Sequence, residues 1–190
     1  MASEGDAGLT HLAGIEANSD GGISGFSFTG LSADYQHLAF RMRAAYDYEF
    51  WYPFAFRMNM GDGSIDTGSE YNRGISWGYS SSRFGFGDLS QGYASVFSIP
   101  STTHSGAADE WTDGLLGVAE GTIWNYSDSA KSTAMTYHAS AQSDGAVSTY
   151  NYWYWGWANY KPTNVVDQIQ IQYPSINLKA GSRMDIWGWA

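Results

Sequence analysis

The chain has no cysteine among its 190 residues, which excludes disulfide stapling, thiol catalysis and cysteine-ligated zinc. Cations are scarce too. Nine Lys and Arg stand against nineteen Asp and Glu, a net charge of −10, and such a chain repels nucleic-acid phosphates and anionic lipid unless a basic cluster compensates. The densest basic stretch is Arg41 and Arg43 on one strand face, too little for a nucleic-acid footprint. No apolar run approaches the roughly 20 residues of a membrane helix, and Met1–Asp6 lacks the basic start and apolar core of a signal peptide. The expectation is a soluble, non-secreted chain with neither nucleic acid nor membrane as a partner. No helical stripe of apolar residues runs anywhere along it.

What the sequence does have is aromatic residues and glycine. Aromatics reach 17% and charged residues only 15%, with nine Trp, fourteen Tyr and 23 Gly, a mixture suited to twisted sheets joined by tight turns. It also suggests aromatic surface covered by other subunits. A chain this long can bury roughly 70% of its unfolded surface in one domain and needs no metal or disulfide to be stable.

Short alternating segments run through the sequence. Gly25–Thr29 places Phe26 and Phe28 on one face, Gln36–Ala45 turns Leu38, Phe40, Met42 and Ala44 inward, and Phe54–Met60 repeats the period with Phe54, Phe56, Met58 and Met60. Tyr93–Ile99, Leu115–Tyr126, Lys131–Ala141 and Val147–Trp157 are further strand candidates. Gln168–Tyr173 alternates strictly between Ile or Tyr and Gln. After a break at Pro174 and Ala180-Gly181-Ser182, Arg183–Trp189 resumes with Met184 and Ile186 inward, a hairpin or a corner. Gly61–Glu70 reads as turn chemistry and Gly74–Gly92 as a second Gly/Ser-rich region. These spacings predict an all-β protein, an antiparallel two-sheet β-sandwich of jelly-roll type over residues 22–190. Residues 1–21, rich in glycine and poor in large apolar side chains, are expected to form an extended N-terminal arm contacting a neighbouring subunit, with the chain's own sheet as the alternative seat.

Catalytic and metal signatures are missing. His37 has no ligand spacing with His11, His104 or His138 and is expected to be a strand histidine hydrogen-bonded locally. Asp62 and Asp66 share a Gly-rich loop without the full grammar of a calcium loop, and no nucleophile elbow or phosphate-cradling loop occurs. The expected protein is not an enzyme and carries no metal or other cofactor. The best candidate contact surface is the strand bearing Tyr150, Tyr152 and Tyr154 on one face and Trp153, Trp155 and Trp157 on the other. Its aromatics can fill the core on both faces, meet another subunit or stack on a sugar ring.

Several segments stand in a recognisable order: Phe26-Ser27-Phe28-Thr29, Tyr35-Gln36-His37-Leu38 with Arg41 and Arg43 behind, Phe56-Arg57-Met58-Asn59 leading to Gly61-Asp62, then Tyr71-Asn72. Ile123-Trp124-Asn125-Tyr126 with Lys131-Ser132-Thr133 follows, and Ala180-Gly181-Ser182-Arg183 opens the last strand. Over residues 23–190 this order resembles a family of small bacteriophage virion β-sandwich proteins. The chain departs from it at Met60, inserted between Asn59 and Gly61, and at Trp187-Gly188-Trp189, where the family usually shows Leu-Tyr-Gly. The resemblance implies a virion part, found in that family as capsid decoration (cement) proteins, tail-associated proteins and tail-fibre tips. With no heptad or collagen-like shaft in the sequence, the expectation is a decoration protein on the capsid surface, made in the host cytoplasm. Its partners would be the major capsid protein or other virion subunits and its own copies, as a homotrimer. The alternative expectation is a tail-fibre or tail-tip receptor-binding protein recognising host surface polysaccharide.

Overall fold

The computed structural model describes residues 8–19, 23–45, 53–58, 68–79, 82–91, 95–98, 117–143, 150–172 and 177–190. Among them there are twelve strands and no helix: β1 (Thr10–Glu16), β2 (Gly25–Thr29), β3 (His37–Ala44), β4 (Pro53–Met58), β5 (Tyr71–Tyr79), β6 (Ser82–Gln91), β7 (Ser95–Ser98), β8 (Gly117–Trp124), β9 (Thr133–Ser143), β10 (Tyr150–Tyr160), β11 (Gln168–Gln172) and β12 (Arg183–Trp189). They form two antiparallel sheets. The larger has eight strands in the order β1-β12-β3-β8-β9-β10-β5-β6, the smaller four in the order β2-β11-β4-β7.

The alternation read from the sequence is the alternation of burial. Leu38, Met42, Ala44, Met184 and Ile186 from the large sheet and Phe26, Ile169 and Ile171 from the small one are fully buried in a single core. Each of the larger of these side chains contributes about 1.5–3 kcal/mol relative to leaving it in water, and Ala44 less than about 1 kcal/mol. The two sheets are also pinned by a polar link. The Met58 backbone N–H donates to the Tyr71 hydroxyl at 2.8 Å, and that hydroxyl donates back to the Met58 carbonyl at 3.0 Å, deep in the core.

The inner face of the large sheet solves a packing problem through glycine. Across neighbouring strands the register runs Ile186, Phe40, Gly121, Tyr137, Gly156, Ile75. Large and missing side chains alternate, so the rings of Phe40 and Tyr137 lie over the bare backbone of Gly121 and Gly156. A Cβ on Gly156 would collide with the Tyr137 ring, and one on Gly121 would meet both the Thr136 carbonyl and the Phe40 ring.

Between β11 and β12 the chain changes sheets, so the closing segment is a corner. Gly181 takes a left-handed φ of 79° there, and the buried Ser182 hydroxyl receives the Ala45 N–H at 3.1 Å, tying the entry of β12 to the exit of β3.

One segment differs from the sequence reading, and part of another takes the alternative seat named for it. The described residues of Gly74–Gly92, read as a Gly/Ser-rich region, are the paired strands β5 and β6, in which Ile75 and Trp77 pack inward while Gly74 leaves room for the Trp157 ring of β10. Within the expected arm of residues 1–21, Thr10–Glu16 pairs with β12 of the same chain, and Ala13 and Ile15 pack against its core. The small apolar residues at alternate positions, across a register shift between His11 and Ala13, give that segment a sheet face of its own.

Candidate binding surface

The outer face of the eight-stranded sheet carries the candidate site. Register fixes which side chains share a row across it. One row runs His11, Trp187, Ala39, Thr122, Thr136, Trp157, Gly74, and the next runs Gly14, Asp185, Arg41, Glu120, His138, Trp155, Ser76. Trp153 and Arg43 belong to the row beyond, with Val118 and Ser140 between them.

Strand β10 splits its aromatics by face. Tyr154 is 7% exposed and lies in the core, whereas Trp153, Trp155 and Trp157 are 37%, 68% and 50% exposed. The Tyr side thus lies in the interior at Tyr154, and the Trp side is open within this chain. Tyr150 and Tyr152 belong to β10 by backbone pairing, and their side chains lie outside the described residues. Trp157 lies over Gly74 of β5, where a Cβ would strike the indole. On β6, two strands away, Leu89 is 74% exposed, while Phe84, 44% exposed, pairs with Trp77 and stacks on it at 4.5 Å on the face that carries Tyr154.

Nearer the other edge of this face, Trp124, Trp189 and His37 form a ring cluster, with His37 5.1 Å from Trp124 and 5.4 Å from Trp189. His37 Nδ1 accepts the Asn125 N–H at 3.1 Å, the local hydrogen bond expected of it, and Asn125 makes the turn after β8 with φ 57°. His37 is therefore fixed in place by its neighbours.

Between these aromatic groups lies a trough of about 420 Å³. Ala39, Thr122 and Thr136 line it with short side chains, and Trp187 and Trp155 stand at its two ends. Four strand spacings separate the backbones of β12 and β10, so the ends are about 19 Å apart. Along one side runs a polar line in which Glu120 pairs with His138 at 2.9 Å and with Arg41 at 3.9 Å. A second hollow of about 580 Å³, lined by His11, Arg43, Val118 and Asp185, shares Arg41 and Trp187 with the first.

Beside it, the Arg183 guanidinium grips Asp185 through two bonds of 2.7 Å and reaches Glu16 at 3.3 Å. That grip, helped by His11 at 2.9 Å, holds the Asp185 carboxyl down at about 2 against an opposing desolvation effect. These charges are locked into one another and hold the rim rigid. Among the described residues no three His, Cys, Asp or Glu side chains gather as metal ligands. The Asp62–Asp66 loop lies outside the described residues.

The sequence reading found the tryptophans of β10 and missed Trp187, Arg41, Glu120, Thr136 and His138 as their companions. Alternation within β8 and β9 marks Glu120, Thr122, Thr136 and His138 as outward, but only the strand order brings them beside residues far off in the chain. Comparison with known proteins adds no relative: no family model matches the chain, no curated protein matches it, and no solved structure matches it.

Proposed function

We propose that this protein is a non-catalytic structural component of a bacteriophage virion, a capsid decoration (cement) protein that binds the major capsid shell and stabilises it. The observation that carries the reading is the apolar end of the large sheet. Trp153, Trp155 and Trp157 stand exposed together on the outer face of β10, with Leu89 exposed two strands away on β6, whereas Phe84 of β6 stacks on Trp77 and belongs to the other face of the sheet. An apolar patch of this kind marks an interaction surface, and cementing needs only buried area and complementary polar contacts.

The strand orders support the jelly-roll part of the proposal. A jelly roll pairs its first, last, third and sixth strands in one sheet and its second, seventh, fourth and fifth in the other. The runs β1-β12-β3-β8 and β2-β11-β4-β7 follow that scheme once the hairpins β5-β6 and β9-β10 are set aside as additions. Those additions extend the first sheet beyond β8 and carry the exposed Trp, Phe and Leu. In this reading the additions are the assembly surface and the protein works as a homotrimer. Since β1 is used by the chain's own sheet, neighbour contact from the N-terminal segment falls to its free edge and to what precedes it.

Mixing the purified protein with shells assembled without it tests the reading. Saturable co-sedimentation, weakened by Leu89→Asp and Trp157→Asp, is the expected result, with a trimer mass in sedimentation equilibrium. Failure of the folded protein to bind such shells would reject it. A second reading, a tail-tip protein that grips host polysaccharide, is favoured by one specific feature, the Trp-ended trough beside the polar line of Arg41, Glu120 and His138.

A further inference from the structure

We propose that the trough on the outer face is a glycan-binding site for an uncharged polysaccharide chain, with sugar rings stacked on Trp155 and Trp187 and hydroxyls received by Arg41, Glu120 and His138. The proposal rests on the polysaccharide reading and deepens it, and it assigns Trp155 to sugar where the shell reading assigns it to the capsid contact.

A pyranose presents an apolar C–H face and a rim of hydroxyls. A site for it needs an aromatic plane, planar hydrogen-bonding side chains and room between them. All three are present. Trp155 is the most exposed tryptophan of the described chain, at 68%, and offers its indole at one end of the trough with the His138 ring 6.4 Å beside it, while Trp187, edge-on to His11, stands at the other. The short side chains of Ala39, Thr122 and Thr136 keep the space between them open, and a volume near 420 Å³ falls within the range of small-ligand clefts.

The polar line is built before any ligand arrives. Glu120 bonds His138 at 2.9 Å with Arg41 3.9 Å away, so an acceptor and two donors stand side by side along one wall, all of them open to solvent and within reach of a ligand. Glu120 can accept from one hydroxyl while Arg41 and His138 donate to others. The same pairing settles the charge of the occupant. Arg41 and Glu120 cancel in the trough, and in the adjoining hollow Arg183 is held by Asp185 and Glu16, so the local attraction for an anion comes from Arg43 and works against a chain of −10, which favours an uncharged occupant. The adjoining hollow, reached past Arg41 and Trp187, gives the chain a path beyond the trough, which suits a polymer better than a free monosaccharide. A flat protein partner would leave the trough between the two tryptophans unfilled.

Native affinity electrophoresis of the full chain tests this, in gels containing hydroxyethyl cellulose, laminarin, mannan or dextran, with alginate as the acidic comparison at physiological salt. At least one neutral glycan is expected to retard the protein. Trp155→Ala removes a stacking plane and is expected to weaken retardation by about tenfold. Thr136→Tyr fills the floor from an exposed position while sparing every polar partner, and is expected to weaken it at least as much. Leu89→Asp, two strands away from Trp155, is expected to leave it unchanged. Retardation by none of the neutral glycans overturns the proposal, as does retardation by alginate alone. Retardation by a neutral glycan that both trough variants leave intact overturns the trough as the site while the broader polysaccharide reading survives.

Discussion

Replacing Gly156 with alanine adds one methyl group at the centre of the large sheet, and the structure says which side chain must yield. Tyr137 is 3% exposed, and its ring fills the space that Gly156 leaves empty. Its retreat is blocked, because Gly121 on the other side is already overlain by the Phe40 ring, 2.8 Å from where a Cβ would stand. Overpacking of this kind costs about 1–3 kcal/mol. Alanine regains about 0.5–1 kcal/mol of the backbone entropy that glycine loses in a strand. The difference is at most about 2.5 kcal/mol, and because several Tyr137 ring atoms collide with the methyl at once the overpacking lies at its upper end, for a net destabilisation of about 1–2.5 kcal/mol and a Tm lower by about 2–10 °C in a domain of this length.

Urea titration followed by tryptophan fluorescence, with thermal scans beside it, measures the difference. Gly87→Ala on β6 is the control, since the nearest atom to its new methyl is the Arg73 carbonyl oxygen at 3.6 Å, an ordinary contact, and its stability should stay within about 0.5 kcal/mol of the parent. Shortening Tyr137 to leucine should relieve the clash, so that Gly156→Ala costs less in that background than in the parent. A Gly156→Ala protein as stable as the parent would refute the ring-over-glycine packing.

Three further outcomes follow from the same coordinates. Tyr71→Phe keeps the ring stacked on Tyr160 but strips the partner from the buried Met58 N–H and C=O, and is expected to lower unfolding free energy by about 1–3 kcal/mol in urea titration. Asp185, with its carboxyl depressed from 3.8 to about 2 by Arg183, contributes stability that is present above pH 4 and lost as pH falls toward 2. The parent should therefore lose more of its urea midpoint over that interval than Asp185→Asn, which starts from a lower value at neutral pH. Trp153→Ala, at a position 37% exposed on the proposed assembly end, should weaken shell binding while changing unfolding free energy by less than about 1 kcal/mol.

The fold was legible wherever period two was carried by large residues. The cores of β2, β3, β11 and β12 could be read residue by residue, because Phe26 and Phe28, Leu38 to Ala44, Ile169 and Ile171, and Met184 and Ile186 alternate with polar neighbours, and all of them are buried. The hairpin of β5 and β6 was hidden by its glycines. Locally, Gly74, Gly78, Gly85 and Gly87 look like turn chemistry, and it is the pairing of β5 with β10 and β6, with the Trp157 ring over Gly74, that makes a sheet of the segment. β1 was hidden for a related reason, since Ala13 and Gly14 weaken its alternation and it draws its place from β12.

The aromatic strand was legible as a candidate surface, yet its composition left open which face was buried. The opposite settings of Tyr154 and Trp155 follow from where the small sheet packs, a long-range fact. The trough was least legible, because its walls come from β12, β3, β8, β9 and β10, and a strand order cannot be read from local pattern.

The central claim, a passive aromatic-faced sandwich that decorates a phage shell, is tested most directly by the density map of the intact particle together with the copy number of this chain within it. The account predicts hundreds of copies seated on the shell with the β10, β5 and β6 end in contact. A handful of copies confined to the tail, or none in purified particles, would contradict it.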